Sequence, residues 1–147
     1  MKLPSSEQVA VGWFKLSSAL DPTKVATTVP ADSTVWAETG FLQIMGLGGA
    51  ANIEFPYRKP TFQVSAWAVS PSSTNPPWGK AAELAERAFG AFYDSQMFPA
   101  DLSILGNYRA VRVVTGFVLS EPRKIFGDIG AFAQITFDAA LHWVVSD

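Results

Sequence analysis

The sequence predicts an α+β domain: an antiparallel sheet of about four strands with two helices packed on one face, in the order α-β-β-α-β-β. Three observations carry this. A capped helical stripe opens the chain, three segments alternate between apolar and polar residues, and an alanine-rich helical stripe separates the first of them from the other two. Paired strands joined by short links favour antiparallel pairing, and helices gathered on one side then cover its apolar face.

Each element has its own signal. Ser5 and Gln8 form an S-x-x-Q capping box, in which each side chain satisfies a backbone N–H at a helix start. Val9, Trp13, Leu16 and Leu20 follow as one helical stripe. Asp21-Pro22 ends the helix, because the residue before proline is driven from the helical region. Residues 23–40 read as a loop with a short strand around Val35, and residues 41–45 as a strand running into a glycine loop. Residues 61–70 alternate, with Phe62, Val64, Ala66 and Ala68 on one face and Thr61, Gln63, Ser65 and Trp67 on the other. A long hairpin connection is expected to pair this strand with residues 41–45.

The stretch "SPSSTNPPWG" is a loop by its serine, proline and glycine content. Residues 80–94 then make a second helix, with Leu84, Ala85, Ala88, Phe89 and Phe92 inward and Lys80, Glu83, Glu86 and Arg87 outward. Residues 108–119 alternate through Val111, Val113, Thr115, Phe117 and Leu119. The last strand is the clearest: Ala133, Ile135, Phe137, Ala139, Leu141, Trp143 and Val145 face one way, and Gln134, Thr136, Asp138 and His142 the other.

Residues 1–147 read as a single domain, long enough to bury roughly two-thirds of the unfolded chain's surface. The chain is 48% hydrophobic and 16% charged, below the usual quarter for charged residues, which fits burial against other subunits or deep self-burial equally. A net charge of −2, with Arg58-Lys59 and Arg123-Lys124 the only basic doublets, argues against a nucleic-acid grip. No cysteine is present, so disulfides, thiolate zinc sites and cysteine nucleophiles are excluded together. The N-terminus lacks a signal-peptide pattern, and no run approaches the roughly 20 apolar residues of a membrane span. The expectation is a soluble protein made inside the cell, with no membrane partner.

The candidate chemistry is thin. Gly46-x-Gly48-x-x-Ala51 fits the letters of a dinucleotide fingerprint, but "ANIEFPYRKP" and a strand follow instead of the helix whose N–H groups would hold a pyrophosphate. A strand-to-strand connection needing positive φ is the simpler reading. His142, the single histidine, lies four residues from Asp138 on the same strand face, about 13 Å away, too far for a direct bond. It reads as a surface or interface residue. Glu83 and Glu86 sit on a solvated helix face beside Lys80 and Arg87. Trp67 and Trp78 flank a loop and could stack on a sugar, although tryptophans serve more often in packing. No catalytic residue, no cofactor and no metal site is expected, hence no enzyme.

The order of features nonetheless resembles a known family. A capped N-terminal helix precedes "VPADSTVWAETGFLQIMGLGG", then come "RKPTFQVSAWA", the alanine-rich "AAELAERAFGAF" and a final pair ending in "AQITFDAALHWV". This is similar to the tail terminator proteins of long-tailed, non-contractile bacteriophages, with Pro30, Phe41, Gly48-Gly49, Ala66-Trp67-Ala68 and Phe137 as the matching positions. The resemblance implies a structural virion protein: a homohexameric ring that caps the tail tube, ends its polymerisation and joins the head-completion (neck) protein, with DNA passing through unbound. It implies a place at the head-proximal end of the tail. Residues 46–57 and 71–78 are then the candidate contacts with other subunits or the tube, in particular Leu47, Gly48, Gly49, Tyr57 and Trp78. The alternatives are another head-to-tail connector, a tail tube subunit, or a small ligand- or carbohydrate-binding module.

Overall fold

A computed structural model describes residues 1–51, 55–126 and 130–146. Among the described residues it contains two α-helices and seven strands in one mostly antiparallel sheet. The expected α+β class with two helices holds, but the strand number and order are corrected. The chain runs α1 (Ser6–Phe14), β1 (Lys24–Ala26), β2 (Phe41–Ala51), β3 (Tyr57–Val69), α2 (Trp78–Ala91), β4 (Ala100–Leu102), β5 (Val111–Val118), β6 (Arg123–Ile125) and β7 (Phe132–Val145). The three additional strands, β1, β4 and β6, are three-residue pieces, too short to carry an alternation that a sequence pattern could reveal.

The sheet order is β1-β2-β3-β7-β5-β4, with β6 also paired to β7. β3 and β7 form its centre, registered from Tyr57↔Val144 to Val69↔Phe132. On the other side of β7, β5 and β6 lie end to end: Val118 pairs with Ala139, and Arg123 with Thr136. Glu121-Pro122 lies between them, where proline cannot donate to a ladder, so one long edge becomes two strands. β1 runs parallel to β2, from Lys24↔Phe41 to Ala26↔Gln43.

α1 begins with the predicted capping box. The Gln8 N–H donates to Ser5 Oγ at 3.1 Å, and the Ser5 N–H donates to Gln8 Oε1 at 2.8 Å. Such a cap contributes about 1 kcal/mol. The helix stops at Phe14, earlier than the stripe suggested; Leu20 is still buried, but Leu16 is 50% exposed. Trp13 anchors the helix: it is fully buried, donates from Nε1 to the Met97 carbonyl at 3.0 Å, and packs on Phe14, Phe92 and Phe98. α2 starts two residues before its expected first residue and lays Ala81, Leu84, Ala85, Ala88 and Ala91 on the sheet. Small side chains let the helix backbone approach, while Phe89 and Phe92 stand edge-on to Phe137 of β7.

Both helices cover the face made by Leu42, Ile44, Phe62, Val64, Ala66, Phe137, Ala139, Leu141 and Trp143. The inward face of the last strand is as predicted from Ala133 to Trp143. The expected alternation of β5 breaks at a bulge between Val113 and Thr115. Val111 and Val113 are buried, whereas Thr115 and Phe117 turn to the opposite face.

That opposite face is polar, as an antiparallel sheet with one side bare requires. Ser65 and Thr136 share a hydrogen bond of 3.0 Å there, and Gln134 donates to Ser65. Among the described residues, one end of it is covered. Residues 27–40 fold over it, and Trp36 seals Phe41 and Val69 while donating to the Pro30 carbonyl. Val35, the expected short strand, lies in a 3-10 turn (Ser33–Val35) instead, and the strand in this region is β1.

Candidate functional site

The stretch expected to be a glycine loop is a strand. β2 continues from its buried start at Phe41 through Ala51, pairing with β3 as far as Ala51↔Arg58. From Met45 outward every residue of β2 is exposed. The outer half of β2 is therefore an exposed edge arm, held on one side by β3, which is itself paired to β7 as far as Tyr57↔Val144. The corrected reading keeps one part of the expectation: Gly48 and Gly49 do take positive φ, at 98° and 119°. They do so inside a ladder, just past a bulge that skips Leu47. A bulge absorbs the extra residue and raises the local twist, and glycine is the residue that accepts such backbone angles.

The base of the arm is tied to α1. The Gly46 N–H donates to Glu7 Oε2 at 2.9 Å, and Trp143 Nε1 donates to Ser6 Oγ at 3.1 Å. A cleft of about 340 Å³ lies along the arm, lined among others by Ser6, Gly46, Gly49, Arg58 and Phe62. Its geometry is unsuited to a pyrophosphate. The fingerprint residues are extended, and the one N–H that meets the neighbouring helix already holds a carboxylate.

Four of the five expected contact residues come together here. Leu47 stands 49% exposed at the bulge, beside Gly48 and Gly49. Tyr57 opens β3, half-buried, with its hydroxyl 3.2 Å from His142 Nδ1 and the Lys59 ammonium 5.4 Å from its ring. His142 is thus part of a small cluster, completed by the Phe117 ring edge-on at 5.5 Å. Burial first, and the charge of Lys59 second, hold the imidazole below its ordinary pKa. The neutral ring can then accept from the Tyr57 hydroxyl. Residues 52–54, which belong to the expected contact loop, lie outside the described residues.

Trp78 stands apart. It begins α2, half-buried against the main core, with Phe126 at 5.7 Å and the Lys124 ammonium 5.1 Å from its ring. Trp67 belongs to the Trp36 cluster on the opposite side of the sheet and donates to Gln43 Oε1. The two tryptophans do not form a joint platform for a sugar ring. Among the described residues, no group of three His, Asp or Glu side chains converges as metal ligands would.

Sequence reasoning missed the sheet's edges. β1 covers β2 only at Phe41–Gln43, and β4 covers β5 only at Val111–Val113. Beyond these short caps, residues 44–51 and 114–118 have no strand on their outer sides among the described residues. Neither segment contains a charged residue: "IMGLGGAA" and "VTGFV". Open edges are ordinarily protected by lysine, proline or inward charges. The signal in the sequence was this absence of charge, which becomes meaningful only once the segments are known to be edges.

No protein-family model matches the chain, and no curated protein matches it.

Proposed function

We propose that this protein is a structural ring component of a long-tailed, non-contractile bacteriophage tail, capping the tube at its head-proximal end. The observation that carries the reading is the arm formed by the outer half of β2, an edge strand paired on one side only, to β3. It is uncharged along β2, exposes Met45 and Leu47, and lies next to an open strand edge. Such a surface fits contact with protein better than contact with a small molecule. The α+β class with two helices fits the resemblance, although β2 runs on past Gly48-Gly49 to Ala51 rather than closing on them. In this role the ring ends tube polymerisation, meets the neck protein on its other side and lets DNA pass without specific binding.

The nearest rival is a tail tube subunit, and the seven strands weigh toward it, since a polymerising tube leans on sheet more heavily than a cap. Two sizeable helices weigh the other way. Light scattering and negative-stain microscopy of the purified protein separate them. The cap reading expects a discrete ring of about six subunits, because a head-to-tail interface that closes by rotation stops growing. Open filaments would transfer the protein to the tube class, and a strict monomer at high concentration would end both readings.

A further inference from the structure

We propose that copies of this chain join edge to edge, the outer side of β2 in one copy pairing antiparallel with the outer side of β5 in the next. This rests on the ring reading above and specifies its interface. The two open edges stand at the same height on opposite sides of one sheet. Gly46 is level with Phe62, Ala139 and Val118 in turn, and Ala51 with Arg58, Trp143 and Val113. Each step in this series is antiparallel, so β5 runs opposite to β2. A second copy placed with its β5 beside β2 therefore continues the alternation without inverting the molecule. It also keeps helices beside helices and bare face beside bare face, since paired rows share a face.

The lengths agree as well. Glu7 caps the Gly46 N–H, which leaves residues 47–51 as the free part of one edge. Residues 114–118 are the free part of the other. Both are five residues long and uncharged, and each presents an exposed apolar side chain, Leu47 on one and Phe117 on the other. Two different edges meeting head to tail make a heterologous contact, which closes into a ring when the rotation permits. A two-fold contact of β2 with β2 would leave the β5 edge open and stop at a dimer.

The absence of cysteine makes the test direct. Ala50, paired with Lys59, and Thr115, paired with His142, are both exposed, and each lies one position along from the row Ala51–Arg58–Trp143–Val113 and on the same face. Within one molecule they are separated by three strand spacings, about 14 Å, well past the reach of a disulfide. The variant carrying Ala50→Cys and Thr115→Cys should, on mild oxidation, give a ladder of linked species ending at one maximum size. A mixture of the two single variants should give linked dimers and nothing larger. Self-linked dimers from Ala50→Cys alone would overturn the proposal in favour of two-fold pairing. A discrete ring in light scattering with no links from the double variant would overturn the edge pairing and leave the cap reading standing. Linked filaments without a maximum size would support the pairing while removing the cap reading. Absence of both oligomers and links overturns the pairing.

Discussion

Replacing Gly49 with alanine, beside the same change at Gly48, separates two costs that the arm imposes on adjacent residues. At Gly48 a Cβ would meet nothing within 4 Å, so Gly48→Ala carries only the price of φ 98°. Holding a non-glycine residue in such a region costs roughly 1–3 kcal/mol, reduced by about 0.4–1 kcal/mol because alanine also restricts the unfolded chain. At Gly49 the same conformational cost applies, and the Cβ would lie 2.5 Å from the Lys59 carbonyl oxygen and 3.0 Å from Pro60 Cα. Those atoms are backbone of the partner strand and cannot rotate away, so β2 and β3 must part. The loss is bounded by the free energy of freeing residues 47–51 from β3, because that edge can open while β3 stays paired to β7. Hydrogen exchange along residues 47–51 is the measurement. Gly48→Ala should speed exchange there on the order of tenfold, as a net loss near 1.4 kcal/mol implies. Gly49→Ala should abolish whatever protection the arm has. The melting temperature of both should stay within about 4 °C of the native value. Equal exchange in the two variants would refute the steric reasoning, and a large fall in melting temperature would refute the local opening.

Two further outcomes follow from the core and from the lone histidine. Trp13→Ala should cost about 3–5 kcal/mol in urea unfolding, because it empties a site packed by three aromatic rings and leaves the Met97 carbonyl without its donor; a loss below about 1 kcal/mol would contradict this packing. His142 has a folded pKa below its ordinary 6.5, so the unfolded chain binds its proton first as the pH falls. Stability is then unaffected well above 6.5 and is lost progressively below it until the folded pKa is passed. Denaturant midpoints between pH 7.5 and 5 should fall more steeply for the native protein than for His142→Gln, and parallel slopes would remove the cluster of Tyr57, Lys59 and Phe117 as the cause.

Elements whose burial repeats over many residues were legible in the sequence. α1 and α2 could be read from their stripes, and the inward faces of β3 and β7 from strict alternation, because each contacts one continuous apolar layer. β1, β4 and β6 were not legible, since three residues hold no period. The bulge in β5 was equally hidden. It moves Thr115 and Phe117 to the bare face, although their letters continue the pattern of Val111 and Val113. Trp36 escaped notice because the segment that holds it has almost no regular structure, yet it closes one whole end of the bare face.

The glycine stretch was misread for a physical reason that bears on the proposed role. Glycine and alanine weaken a strand, so residues 46–51 carry the composition of a loop. What holds them extended is the paired strand β3, anchored in turn on β7 and registered residue by residue. The same poverty of side chains that hid the strand also keeps its outer edge flat and open. A neighbouring backbone can then approach without displacing anything, as glycine in a strand often signals. Free in solution, such an edge strand is paired on one side only and opens more readily than the central strands. Strand pairing along its open edge would order it, so assembly and arm protection should rise together, and exchange along residues 47–51 should slow when copies associate.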